Sequence, residues 1–344
     1  MNLSVFTGVG LVEPDPEPTV PAPGGVPLPA TAAYRAAGFD PVALLGRRTA
    51  RFNHRSTTLA LAACGGALAD AGIEVTDGNA DGIGVTLGTT CGSLAGTVEF
   101  GWDTFAQERP HQVNPATFPN SVLNTAAGAA AIRFGLRGPN STVAAGPLAG
   151  LAALRHAEVT LRAHHADTIL VGAAEELSAP LAWVAETLRP GVVLGEGAAV
   201  LVLERPDVAA AGGRTPVARL AAVVSRAEDV RNPDTVAAAV TAALARAEAP
   251  PGRVRLLALR HTGDAVVDAA QVAGVGAVVS IEPTHVEDRI GDCASAHAAM
   301  QLAGVVRTIR AERWPAADVA LVVAVDPDGA LAVAVLSGPA GELS

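Results

Sequence analysis

One pattern occurs twice in this 344-residue chain and narrows what it can fold into more than any other. Ala166-Asp167-Thr168-Ile169-Leu170-Val171-Gly172-Ala173 reads as a strand, and Gly197-Ala198-Ala199-Val200-Leu201-Val202-Leu203 follows as a second. The pair returns as Ala317-Asp318-Val319-Ala320-Leu321-Val322-Val323-Ala324 and Gly329-Ala330-Leu331-Ala332-Val333-Ala334-Val335-Leu336. Strands that are apolar almost throughout, with no polar alternation, fit a sheet covered on both faces. The chain is longer than one core usually supports, so the repeat reads as two fused α/β halves, residues 1–210 and 211–344.

The remaining segments fill both halves. Leu3 to Val12 reads as a strand with a glycine-rich exit, Pro14 to Pro29 as a surface loop, and Ser56 to Ala71 as a helix ending near Gly72. Gly82 to Gly88 is a strand that leads into a Thr/Gly-rich loop holding Cys91, and Leu148 to Ala163 is a helix of small residues suited to burial between layers. The second half reads as helix Pro233 to Ala247, strands Val254 to Arg260 and Gly276 to Ile281, and helix Ala294 to Ile309.

Composition excludes several function classes. Half the residues are hydrophobic, yet no apolar run reaches membrane-spanning length. The N-terminal segment lacks a basic stretch followed by an apolar one, and the cysteines are odd in number and scattered (Cys64, Cys91, Cys293). Both features point to a cytoplasmic protein with free thiols. The net charge is −10 and every basic side chain is Arg, which disfavours nucleic-acid binding and rules out a lysine Schiff base. Nothing in the spacing calls for a metal or a cofactor. His164-His165 reads as surface, Glu175-Glu176 as a surface pair at a strand end, and Cys64 and Cys293 as core.

The motifs are more specific. Phe118-Pro119-Asn120-Ser121-Val122-Leu123-Asn124-Thr125-Ala126-Ala127-Gly128 leads to Arg133-Phe134-Gly135-Leu136-Arg137-Gly138-Pro139-Asn140. Then come Thr142-Val143-Ala144-Ala145-Gly146-Pro147-Leu148-Ala149-Gly150-Leu151 and, later, Leu194-Gly195-Glu196-Gly197-Ala198-Ala199. In that order they resemble the β-ketoacyl synthase family. The resemblance covers almost the whole chain and is strongest from Phe39 to Glu204. It implies the thiolase fold, in which two duplicated βαβαβαββ-type halves form a layered αβαβα sandwich.

In the family a short strand ends at a nucleophilic Cys, assisted by two His and a Lys. Here Pro147 takes the nucleophile's place and removes both a thiol and a backbone N–H of the oxyanion hole. Asp292, in Gly291-Asp292-Cys293, replaces the second His. Glu287 stands where the resemblance puts the Lys, and Val325-Asp326-Pro327-Asp328-Gly329 replaces the Phe-bearing loop with a hairpin turn. His261 falls in the loop of the first His and reads either as a relic or as an ordinary loop histidine. Cys91 has no ionisable neighbour in sequence, so it reads as a small thiol lining a tunnel rather than as a substitute nucleophile.

A dead copy of this kind resembles the chain length factor of type II polyketide synthases. Members more often carry Gln at the dead position, so Pro147 departs from the group, and the Phe118-Pro119-Asn120 run is closer to partners from polyene-type, highly reducing systems. The resemblance implies a heterodimer with an active ketosynthase, an acyl carrier protein that docks mainly on that partner, and a growing polyketide chain in an interface tunnel. Phe118, Ser121, Val122 and Cys91 would shape that tunnel. Asn114, Asn120, Asn124 and the strand Thr142, Val143, Ala144 and Ala145 would meet the partner. Two other readings stay open: a thioesterase- or cyclase-like enzyme using His261 or Cys91, and a standalone acyl-binding module.

Overall fold

The computed structural model describes residues 4–18, 28–29, 32–284 and 287–339. Most of the Pro14 to Pro29 loop and the start of the first strand, Leu3, therefore lie outside the described residues. The strands are β1 (Val5–Val12), β2 (Ile83–Thr89), β3 (Asn140–Ala144), β4 (Thr168–Glu175), β5 (Gly197–Glu204), β6 (Ala218–Ala227), β7 (Val254–Leu259), β8 (Val319–Asp326) and β9 (Ala330–Ser337). The helices of the N-terminal part are α1 (Pro41–Leu45), α2 (Arg47–Phe52), α3 (Arg55–Ala71), α4 (Leu94–Ala106), α5 (Thr125–Phe134), α6 (Ala149–Arg162) and α7 (Ala179–Leu188). They are followed by α8 (Pro206–Ala211), α9 (Pro233–Arg246), α10 (Ala265–Gly276), α11 (Glu287–Ile290) and α12 (Ala294–Glu312).

The nine strands form one mixed sheet in the order β3-β2-β4-β5-β1-β6-β9-β8-β7. The repeated apolar strands are the antiparallel neighbours β4–β5 and β8–β9. Each is buried on both sides, as their unbroken hydrophobicity requires. Val200 and Val202 of β5 join α3 and α5 in one core, while Leu201 and Leu203 join α6 and α12 in another. In β8, Ala320 and Val322 face α6 and α12, whereas Leu321 and Val323 pack with α9 and α10. The sheet thus covers α6 and α12 from both flanks, giving helix, sheet, helix, sheet, helix in five layers.

Small residues allow this inner helical layer. A Cβ on Gly150 of α6 would come within 2.8 Å of the backbone nitrogen of Ala299 on α12. Ala153, Ala157, Ala296, Ala299 and Ala303 are likewise fully buried, while Leu151, Leu154 and Leu161 supply the bulk.

Two sequence readings need correction. Gly276 to Ile281 is not a strand: Gly276 ends α10, and Val278 and Val279 donate to the carbonyl of Val275 in a closing turn. The apolar periodicity of Val267, Ala270, Gln271, Gly274 and Val275 is helical, and Asp264 caps it by accepting from the N–H groups of Val266 and Val267. The strand expected at Thr142–Ala145 begins earlier, at Asn140, and ends at Ala144. Among the described residues no helix is long and apolar enough to cross a membrane.

Candidate functional site

The strand-to-helix elbow lies at the junction of β3 and α6. β3 ends at Ala144, and Gly146–Leu148 forms a single tight turn that runs straight into α6. Gly146 adopts φ +50°, a left-handed conformation that costs a side-chain-bearing residue strain. Pro147 follows it and offers neither a nucleophile nor an N–H. The β8–β9 hairpin reaches this point: a Cβ on Gly146 would sit 3.6 Å from Oδ2 of Asp326. The hairpin is the plain turn its sequence predicts, closed by the Gly329 N–H donating to the Asp326 carbonyl at 3.0 Å.

Asp292 is almost fully buried and carries two guanidinium groups. Arg189 Nη1 donates to Oδ2 at 2.5 Å and Arg260 Nη2 donates to the same oxygen at 3.0 Å. The other oxygen accepts the N–H of Ala294 at 2.9 Å. Arg260, at the end of β7, is wholly buried, and its Nη1 donates to the Val325 carbonyl at 3.3 Å. Burial alone would raise the Asp292 carboxyl, but Arg260 and Arg189 outweigh it and hold the group far below the usual carboxylate range. Arg260 and Arg189 were missed in the sequence. The available signal was an Arg closing the apolar strand Leu256–Leu259, a cation that could be buried only beside a carboxylate.

His261, the next residue, turns outward. Its side chain is 60% exposed and its Nδ1 lies 2.9 Å from Asp268, which also accepts from the Thr262 and Gly263 backbone. The histidine is therefore a loop residue on the α10 side, and Arg260 takes the inward position. Glu287 opens α11, but its side chain lies outside the described residues.

Glu175 and Glu176 are not a surface pair: both are buried at the end of β4. Glu176 accepts the Ser56 N–H at 3.0 Å and the Ser93 hydroxyl at 3.0 Å, so it joins the N-terminal ends of α3 and α4, where a negative charge is favoured. Glu175 accepts hydroxyls from Thr90 at 2.6 Å and Ser295 at 2.7 Å. Burial pushes its carboxyl up to about 7. Glu196, from the Gly-Glu-Gly run, is fully buried and clamped by Arg55 through two hydrogen bonds of 2.7 Å. Cys91 is half-buried; burial and the two nearby glutamates push its thiol up to about 11.

The residues expected at the tunnel and interface come partly together. Ser121, Val122, Asn124, Thr142 and Ala144 line one open hollow along β3. Val122, Asn120 and Thr142 also line a narrow cleft with Thr57, Ser93 and Thr125, whose enclosed part is about 20 Å³, room for one water. Phe118 and Cys91 line neither. Phe118 is exposed and packs edge-on against Phe100 of α4 at 5.6 Å. Asn120 is buried within the chain, where its Nδ2 donates to the Phe52 carbonyl at 3.1 Å. Asn114 lies on the surface, its N–H donating to Asp103. β3 is an end strand of the sheet, half-exposed, and among the described residues no strand pairs with its outer edge.

The family model for β-ketoacyl synthase, N-terminal domain, matches residues 17–188. The 3-oxoacyl-[acyl-carrier-protein] synthase 2 of Vibrio cholerae is 32% identical over 51% of this chain and 47% of its own length. Nodulation protein E of Rhizobium leguminosarum bv. trifolii is 32% identical over 64% of the chain and 60% of its own. The chain spans about half the length of most such relatives it matches. Among solved structures, the ishigamide ketosynthase/chain length factor superposes with a TM-score of 0.88 at 34% identity, covering 98% of this chain and 99% of the other. A type II polyketide ketosynthase in complex with its acyl-carrier protein has the same fold, with a TM-score of 0.82 at 19% identity over 98% and 99%.

The buried Glu175 carries a pH signature. An unfolded glutamate ionises near 4.5 and the folded one near 7, so the native state holds an extra proton between those values. This stabilisation is complete below pH 4.5 and is lost as pH rises through 7, a loss on the order of 3 kcal/mol. Glu175→Gln keeps a neutral group at every pH. Thermal melts from pH 4.5 to 8 will show the wild type falling relative to this variant. Melting curves that stay parallel across that range contradict it.

Proposed function

The chain belongs to the β-ketoacyl synthase family, and from that premise we propose that it is a non-catalytic chain length factor. On this reading it pairs with an active ketosynthase in a heterodimer that elongates carrier-bound polyketide chains. The observation that carries the reading is the pairing of Pro147 at the elbow with the Arg189–Asp292–Arg260 ion cluster beside it. Pro147 supplies neither a nucleophile nor an N–H at the elbow, and Asp292 stands where the resemblance puts a histidine, although the buried His297 lies close enough to help hold the Asp292 carboxyl down. Asp292 itself is committed to two ion pairs. The alternative, an enzyme using His261 or Cys91, is opposed by the outward turn of His261 and by a thiol that ionises near 11. Pairing is supported by the outer edge of β3, on which no strand pairs among the described residues, and by the hollow beside it, where Ser121, Val122, Thr142 and Ala144 meet. The Phe118-Pro119-Asn120 run supports a polyene-type, highly reducing system.

The net charge of −10 favours carrier docking on the partner subunit, yet one patch runs the other way. Arg47, Arg48 and Arg51 of α2 are exposed, and Arg133 reaches them by donating to the Thr49 hydroxyl at 3.2 Å. Most other arginines are ion-paired, as Arg137, Arg205, Arg231 and Arg310 are. Among the described residues no carboxylate pairs with these four. The nearby Asp40 uses one carboxylate oxygen to cap α1. We therefore assign part of the docking of an acidic carrier protein to this patch.

Three outcomes test these readings. Incubated with an acyl-carrier thioester, the chain will gain no acyl mass, and Pro147→Cys alone will not restore condensation, because Asp292 and the hairpin remain. A stoichiometric adduct on Cys91, detected by intact mass, refutes the non-catalytic role. In a complex reconstituted with an active ketosynthase, Val122→Trp or Ser121→Phe will shorten the longest product, since close-packed interiors resist added volume at about 1–3 kcal/mol. Unchanged product lengths from variants that still assemble would show that this hollow does not measure the chain. Arg47→Glu with Arg51→Glu will weaken carrier binding to the complex at least fivefold and flatten its salt dependence. Titration by fluorescence anisotropy at two ionic strengths decides.

A further inference from the structure

Asp292 does more than fail to be a histidine. Its carboxylate ties four separate segments together: Arg189 at the C-terminal end of α7, Arg260 at the end of β7, Val325 of β8 through Arg260, and the first turn of α12 through the Ala294 N–H. Its backbone adds two more ties, with its N–H donating to the Val193 carbonyl at 2.8 Å and its carbonyl accepting from Gly195 at 2.9 Å. The segment running from α7 to β5 is therefore held on both sides by one residue.

α7 has an unusual surface. Val184 and Leu188 are exposed on it, and the adjoining α4 exposes Val98, Trp102 and Phe105, the last two 71% and 83% accessible. A soluble chain rarely leaves so many large apolar groups together without a cover. The charged residues on these two helices are Glu99, Asp103 and Glu186, all acidic. In a symmetric pair the face would meet itself and set like charges against each other. That argues for a different chain as the occupant.

We propose that Asp292 has become a positioning residue for the partner-facing surface: through Arg189 it fixes the C-terminal end of α7, and α7 with α4 forms the apolar face that an active ketosynthase subunit covers. The inference rests on the heterodimer reading above. In this scheme the position that lost its part in catalysis has been reused for assembly. Restoring the histidine would cut the tie and leave the buried Arg260 without its carboxylate, a change that threatens folding itself.

Arg189→Met is the cleaner variant, because Arg189 is partly exposed and Asp292 keeps Arg260. In the isolated full chain, hydrogen exchange will quicken in residues 179–189 while the core strands stay protected. With a co-expressed active ketosynthase, the purified heterodimer will dissociate at least tenfold more readily than wild type, and Arg189→Lys will recover part of that affinity. Arg137→Met, which removes an exposed ion pair far from α7 in sequence, serves as the control and will leave affinity unchanged. Equal affinity of Arg189→Met and wild type overturns this inference alone, as does unaltered exchange in α7. A wild-type chain that binds no ketosynthase, or that forms only its own dimer, overturns the heterodimer reading and the role of this face together.

Discussion

The close contact of α6 with α12 is the constraint on which the other layers depend. Both helices are flanked by sheet on two sides, so α6 keeps only a narrow exposed row (Arg155, His156, Val159) and α12 little more than Gly304 and Arg307. Such a layer can be built only if the helices approach until backbone nearly touches backbone, as Gly150 does at Ala299. Large side chains are then confined to the outward rows, where Leu151, Leu154, Val305 and Ile309 reach into the sheet. The ends of these helices inherit their positions from that contact. α6 starts at the elbow and α12 starts beside Asp292, so the packing of the middle layer sets where the site's two halves meet.

Much of this was legible in the sequence because it is periodic. Strands buried on both faces are apolar throughout, and β4, β5, β8 and β9 could be found from that alone. α3, α6, α9 and α12 announce themselves by spacing and by small residues. The misreading of Gly276 to Ile281 has the opposite cause. A short apolar run after a helix looks like a strand, and only the turn back to the Val275 carbonyl shows otherwise. The elements least visible were α4 and α7, whose apolar residues point outward. Hydrophobic periodicity signals burial, and it misleads where large apolar groups stand on the surface, as Trp102 and Phe105 do.

The site was legible in what it lacks and illegible in what replaces it. Pro147 is read directly, since its chemistry follows from its own ring. Asp292 was found by its place in a motif, but its partners come from residues 103 and 32 positions away, and no local pattern joins them. Glu175 and Glu176 looked like surface charges for the same reason. Their burial becomes reasonable only once the hydroxyls of Thr90, Ser93 and Ser295 and the start of α3 are seen to converge on them.

β3 carries a consequence of its own. It is a short end strand with no strand paired to its outer edge among the described residues, and it lies beside an open hollow. A strand edge in that condition is a template for any extended segment that reaches it. Self-association through β3 would then rise with the concentration of the chain, because each added copy brings another such edge.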